Sequence, residues 1–198
     1  MRREKDRLRL GELALLAALC LALCAAVWAE GQEERIGSSL IRLHVLAVSD
    51  EAEEQAIKLR VRDAVLDYLT PRLEGAADQN EAKKLLSASL GELRRAAEAA
   101  AEGRAVTVTL TRERYPTRRY GDFALPAGEY DSLRVILGAG EGRNWWCVVF
   151  PPLCLAAESS EPLEQAIGAD TFQLLSADGE TAFRFKLLEL WGELTSGF

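Results

Sequence analysis

The stretch that most limits how this chain can fold is residues 144–154, which read Asn144, Trp145, Trp146, Cys147, Val148, Val149, Phe150, Pro151, Pro152, Leu153, Cys154. Trp, Val and Phe side chains favour a pleated, half-buried surface, and a Pro pair ends any such run. The stretch therefore predicts a short strand over 145–150 that has to be buried on at least one face. In a strand, neighbouring side chains point to opposite faces, so Trp145 and Trp146 must part company. One ring can fill the core; the other is either covered by a helix or presented to a partner. Gly138, Gly140 and Gly142 just upstream make a turn that leads into a strand. A phosphate-binding glycine loop would instead open a helix.

The N-terminus carries the next constraint. Arg2, Arg3, Lys5, Arg7 and Arg9 precede an uncharged apolar run from Leu13 to Val27, and Val27, Trp28, Ala29 offer a small-x-small exit. That is the pattern of a secretory signal peptide over 1–29. The apolar run is shorter than the roughly 20 residues a bilayer span needs. Trp28 suits a membrane interface, so an uncleaved signal anchor with membrane contact through this segment is the alternative. Either topology exports residues 30–198, and an exported chain can meet an oxidising compartment. Cys20 and Cys24 lie in the apolar run, each after a Leu, and read as ordinary hydrophobes. Cys147 and Cys154 are then left as the one intramolecular disulfide available.

The remaining segments are read from periodicity. Residues 30–39 are polar and read as a linker. Leu40 to Val48 is rich in β-formers and predicts a strand apolar on both faces. Asp50 and Glu53 have the spacing of a capping box for a helix that carries Ile57, Val61, Ala64, Val65 and Tyr68 on one stripe and stops near Pro71. Asp78 and Glu81 repeat that spacing before a second helix bearing Leu85, Leu86, Leu90 and Leu93, with Gly103 as its stop. Val106, Val108 and Leu110 alternate with Thr107, Thr109 and Thr111, the mark of a half-exposed strand. Residues 112–119 form a charged connection. Short strands come next near 120–125 and 132–137. Residues 158–179 have no clear pattern and read as a loop. Phe183, Leu187, Leu190, Trp191 and Leu194 then define a C-terminal amphipathic helix. The expected fold is α+β: a mostly antiparallel sheet, two helices after the first strand on one face, and the C-terminal helix. Residues 40–157 make the domain; 158–198 make the loop and last helix.

Composition excludes several functions. The formal net charge is −7, which does not suit a nucleic-acid partner. There is a single His and no Cys/His cluster for a zinc site, and no feature calls for a cofactor. No Gly-x-Ser-x-Gly elbow or His-Glu-x-x-His helix motif occurs. Cys147 with His44 on a neighbouring strand is the one candidate nucleophile and base, oriented by Asp122 or Asn144. A thiol hydrolase is the alternative function this pair supports. Against it, a disulfide sulfur is not a nucleophile. The basic residues of 112–119, Arg118 and Arg119 among them, form either a solvated run or a grip for an anionic partner. No catalytic set is assigned. Trp145, Trp146, Arg118, Arg119 and Gly140 are the candidate partner-binding residues, because Trp and Arg dominate interface hot spots.

Three blocks carry a family resemblance. They are Leu40 to Asp50 with Gln55 to Val65; Tyr120 to Tyr130 with Leu133 to Ile136; and Gly142 to Cys154. In order and spacing they resemble the stage II sporulation protein R family from about Leu40 to Leu155. Val48 stands where the family form is expected to carry Asn. The resemblance implies an intercellular signal in endospore formation. Such a protein is made in the forespore and exported to the space between the two membranes. There it triggers a mother-cell membrane aspartic protease, the stage II sporulation protein GA, to process pro-sigma-E. An activator of this kind is not itself an enzyme.

Overall fold

A computed structural model describes residues 2–120, 123–154 and 161–176. Helix α1 (Arg2–Gly37) leads into strand β1 (Ile41–Leu46), helices α2 (Ala52–Leu73) and α3 (Gln79–Ala100), and strand β2 (Val106–Tyr115). A small hairpin comes next, β3 (Arg118–Tyr120) with β4 (Phe123–Leu125), and then β5 (Gly128–Leu137) and β6 (Asn144–Phe150). Two short helices, α4 (Glu161–Ile167) and α5 (Ala169–Ser176), close the described chain. The main sheet has the order β2-β5-β1-β6. The outer pairings, β2 with β5 and β1 with β6, are antiparallel, whereas β1 and β5 run parallel at the centre. The fold is α+β as the sequence predicts, and the long connection that the parallel pair β1 and β5 requires runs through α2, α3, β2 and the β3–β4 hairpin.

The two faces of the sheet bury different chemistry. One receives Ile41, Leu43 and Val45 of β1, Leu133, Val135 and Leu137 of β5, and Cys147 and Val149 of β6. Ile57, Val61, Val65, Leu86 and Leu93 of α2 and α3 pack onto it. Each fully buried Leu or Val here is worth roughly 1.5–3 kcal/mol against exposure. The second face holds a smaller core of Ile36, Leu40, Tyr115, Tyr130 and Val148, covered by the β3–β4 hairpin and by Leu163, Ile167 and Leu175 of α4 and α5. Both faces are thus covered, not one as the pattern suggested.

Several boundaries differ from the pattern for identifiable reasons. The expected linker at 30–39 is helical to Gly37; Ile36 and Leu40 are buried, and Gln79 Nε2 donates to the Gly37 and Leu40 carbonyls at 3.2 and 2.8 Å. Pro71 does not stop α2 at Thr70: it lies inside the last turn, where it gives up one ladder bond and only Arg72 and Leu73 follow before the helix ends. Asp50 does not cap α2: its Oδ1 accepts instead from the Arg143 N–H at 2.6 Å, and Glu51 takes the cap position without a side-chain bond. Asp78 does cap α3, accepting from Glu81 N at 2.8 Å, while Glu81 Oε2 accepts from Ala77 N at 2.9 Å. The charged run after Thr111 is no connection. It prolongs β2 to Tyr115 in register with β5, Arg112 opposite Asp131 and Glu113 opposite Tyr130. Part of the expected loop at 158–179 is helix. The amphipathic helix predicted from Phe183 lies outside the described residues.

Cys147 and Cys154 form a disulfide with Cα atoms 5.4 Å apart. It joins the middle of β6 to the turn behind Pro151 and Pro152, and the Phe150–Pro151 peptide is cis. In α1, Leu13, Leu16, Leu19, Leu23, Val27 and Trp28 are exposed. Among the described residues no helix is long and apolar enough to cross a membrane.

Candidate functional site

Strand alternation decides what gathers on the second face. In β1, Arg42 and His44 lie two residues apart and so share that face. The register places His44 between Arg134 of β5 and Trp146 of β6, with Thr109 of β2 beyond Arg134. The next row pairs Arg42 with Ser132. Glu113 and Tyr115 reach in from β2. The hairpin and α4–α5 cover the Tyr130 end of this surface, while Thr107, Thr109 and Asn144 stay exposed at the other.

Glu113 is the hub. Its carboxylate lies 3.3 Å from His44 Nδ1 and 3.0 Å from Arg134 Nε, and it accepts weakly from the Tyr115 hydroxyl at 3.4 Å. His44 is 8% exposed; its Nε2 is buried without a hydrogen-bonding partner. Burial pushes its pKa below the ordinary 6.5; Asn144 and Glu113 pull it back up without overcoming burial, and Arg134 adds to the lowering. The ring meets Trp146 at 5.5 Å and Tyr115 at 6.2 Å between centroids.

Arg42 is fully buried and faces aromatic rings where a carboxylate would be expected. Its guanidinium lies 4.0 Å from the Tyr115 ring, 4.9 Å from that of Tyr130 and 5.7 Å from that of Tyr120, and Nη2 donates to the Tyr120 hydroxyl at 2.5 Å. Nε and Nη1 have no hydrogen-bonding partner. Three π faces offset part of the desolvation of that charge, each by about 2 kcal/mol at best. The Tyr115 hydroxyl is shared with Ser132 Oγ at 2.6 Å, and burial pushes its pKa far up, so it stays protonated.

The sequence-selected residues divide between places. Trp146 is on the cluster face with the Arg118 guanidinium 3.9 Å above its ring. Arg119, next on β3, is exposed. Trp145 is on the opposite face, against the main core, with Arg62 of α2 at 4.4 Å over the ring. Gly140 lies in the β5–β6 turn with φ +69°, and a Cβ there would sit 2.8 Å from Ile136 Cγ2; this glycine is required by the turn itself. Gly142 is packed so closely on Ser49 that a Cβ would meet the Ser49 carbonyl. Lys58, buried on α2, fastens the same turn by donating to the Arg143 carbonyl at 2.9 Å; burial lowers its pKa.

The Cys147–His44 pairing fails on geometry. Cys147 stands opposite Leu43 and faces the main core, whereas His44 faces the other way, and the sulfur is committed to Cys154. Asp122, one of its two candidate orienting groups, lies outside the described residues. Among the described residues no cluster of His, Cys, Asp and Glu has the make-up of a metal site. What remains is a half-buried face of cations and aromatic rings around one carboxylate. Arg42, Glu113, Tyr115 and Arg134 were not selected from sequence. The signal was there: Arg42 and His44 two apart in an otherwise apolar strand.

The model of the family described as stage II sporulation protein R matches residues 37–160, which takes in every residue of this cluster. The chain belongs to the stage II sporulation protein R family. The stage II sporulation protein R of Bacillus subtilis (strain 168) is 36% identical over 129 residues, covering 63% of this chain and 58% of that protein. The chain thus spans less than two thirds of the curated relative's length. No solved structure matches. Membership identifies the chain as one of a family of sporulation proteins, and the α1 residues ahead of 37 fall outside the matched region.

Proposed function

We propose that this protein is an exported sporulation signal. It is made in the forespore, is delivered to the space between the two membranes, and there activates the membrane aspartic protease of the mother cell, stage II sporulation protein GA, for pro-sigma-E processing. The protein works by binding and is not an enzyme. Family membership over residues 37–160 is the observation that carries this reading. The basic and apolar N-terminus supports export, and a disulfide between Cys147 and Cys154 suits an oxidising destination. The contact surface is centred on Trp146, Arg118 and Arg119, with Trp145 buttressing β6 from behind and Gly140 shaping the turn beside it.

The test is reconstitution. The protease and its pro-sigma substrate are co-expressed in a non-sporulating host, with and without this chain carrying its N-terminal segment. Processing that appears only when the chain is present and exported supports the reading. Equal processing without the chain, or with a version retained in the cytoplasm, refutes it.

A further inference from the structure

The second sheet face holds more positive charge than it neutralises. Arg42, Arg118 and Arg134 converge there with His44, and Glu113 is the one carboxylate among the described residues that meets them. Glu113 is shared between Arg134 and His44, so neither partner has it alone. Arg42 keeps two buried nitrogens without partners although it is fully enclosed. A buried guanidinium lacking a counter-ion is costly, and the cost falls when an anion approaches. The imbalance is local and runs against the whole molecule, whose formal charge is −7. The surface is also reachable. Arg134 retains 32% of its side-chain exposure, Arg119 is exposed, and the row continues to the open Thr109 and Thr107.

We propose that this face is a recognition site for a carboxylate-bearing segment of a partner protein, taken between Arg118 and Arg134 and seated against Trp146. One guanidinium, Arg118, lies over the Trp146 ring, and a second, Arg134, stands across the His44 row on β5, a pairing that suits an acidic side chain with apolar chain beside it. The forks fix the carboxylate oxygens and the indole covers the apolar part. Arg42 lies one row behind and contributes field without contact. The site deepens the reading of this chain as a protease activator and rests on it only for the partner's identity. The acidic-segment chemistry stands on the cluster alone.

Because His44 is the only histidine, its imidazole gives a single, unambiguous set of ring C–H NMR signals in the centre of the site. The probe is a short capped peptide of alternating glutamate and aspartate, titrated into the purified exported chain; the control is the same peptide built of glutamine and asparagine. A saturable shift of the His44 signal with the acidic peptide, weakened by salt, is expected. Arg118→Gln and Arg134→Gln should each weaken binding about tenfold or more, the scale of one charge-assisted hydrogen bond. The Lys variants keep charge without the fork and should fall between. Circular dichroism confirms that each variant is folded. No shift, an equal shift with the amide peptide, or tighter capture by a DNA oligonucleotide or by phosphatidylglycerol vesicles overturns the site. Failure here with intact pro-sigma processing removes the site and leaves the proposed function. Peptide binding with processing that ignores the chain does the reverse.

Discussion

At the scale of single residues, His44 is where burial and charge compete most openly. Burial favours the neutral ring more than Glu113 and Asn144 favour the charged one, so the folded pKa lies below the unfolded value of 6.5. The unfolded chain therefore binds the proton more readily, and stability rises with pH through this range. The contribution is complete above about pH 6.5 and fades as pH falls through the lower folded value. Urea midpoints taken between about pH 5 and 7 should decline on the acid side, and His44→Gln should flatten that decline. An unchanged slope in the variant would assign the acid sensitivity to carboxylates elsewhere. Arg42 teaches a related lesson. In a strand read as apolar on both faces it looks like an interruption, yet it is more deeply buried than the nearby His44. Its surroundings come from β2, β3 and β5, and no local pattern announces three tyrosines arriving from distant segments.

Elements were legible to the extent that their causes are local. Helix α3 begins where Asp78 and Glu81 say it should, because an N-cap bond spans three residues. Asp78→Ala should cost about 1 kcal/mol, read as a lowered urea midpoint. Asp50 has the same spacing to an acid and caps nothing, so Asp50→Ala should leave the helix signal unchanged and act on the β5–β6 turn, which it holds through Arg143 N. The difference lies 93 residues away in sequence and cannot be seen in a capping box. The same distinction explains β2. Its first half alternates Val and Thr and is plain to read; its second half, Arg112 to Tyr115, is charged. It remains a strand because its ladder to β5 continues in register through to Tyr115 opposite Gly128. Trp145 and Trp146 were separable from period two alone, since alternation is a property of the backbone. Which ring meets the helices, and which meets Arg118, depended on register with β1.

For the whole molecule, the sheet divides the labour. One face is an apolar bed for α2 and α3; the other mixes charge and rings beneath a hairpin and two short helices. Helix α1 joins the second of these through Ile36, which is 2% exposed. Replacing Ile36 with Ala should cost about 2–5 kcal/mol, visible as a lowered thermal midpoint, because the residue fills a core and does not merely lead to one. A variant with unchanged stability would return the end of α1 to the status of a tether. The overall class and the order of elements were readable because length, alternation and punctuation fix them. The face of charge and rings was not, because it is assembled from five strands whose neighbours are settled only by folding.

The Cys147–Cys154 bond has a consequence of another kind. Thiols stay open in a reducing cytoplasm and close in an oxidising space. If the chain is exported as proposed, each molecule carries, in one covalent link on an edge strand, a lasting record of the redox compartment in which it matured. Alkylation of a mixed population would read that record molecule by molecule, sorting oxidised chains from reduced ones.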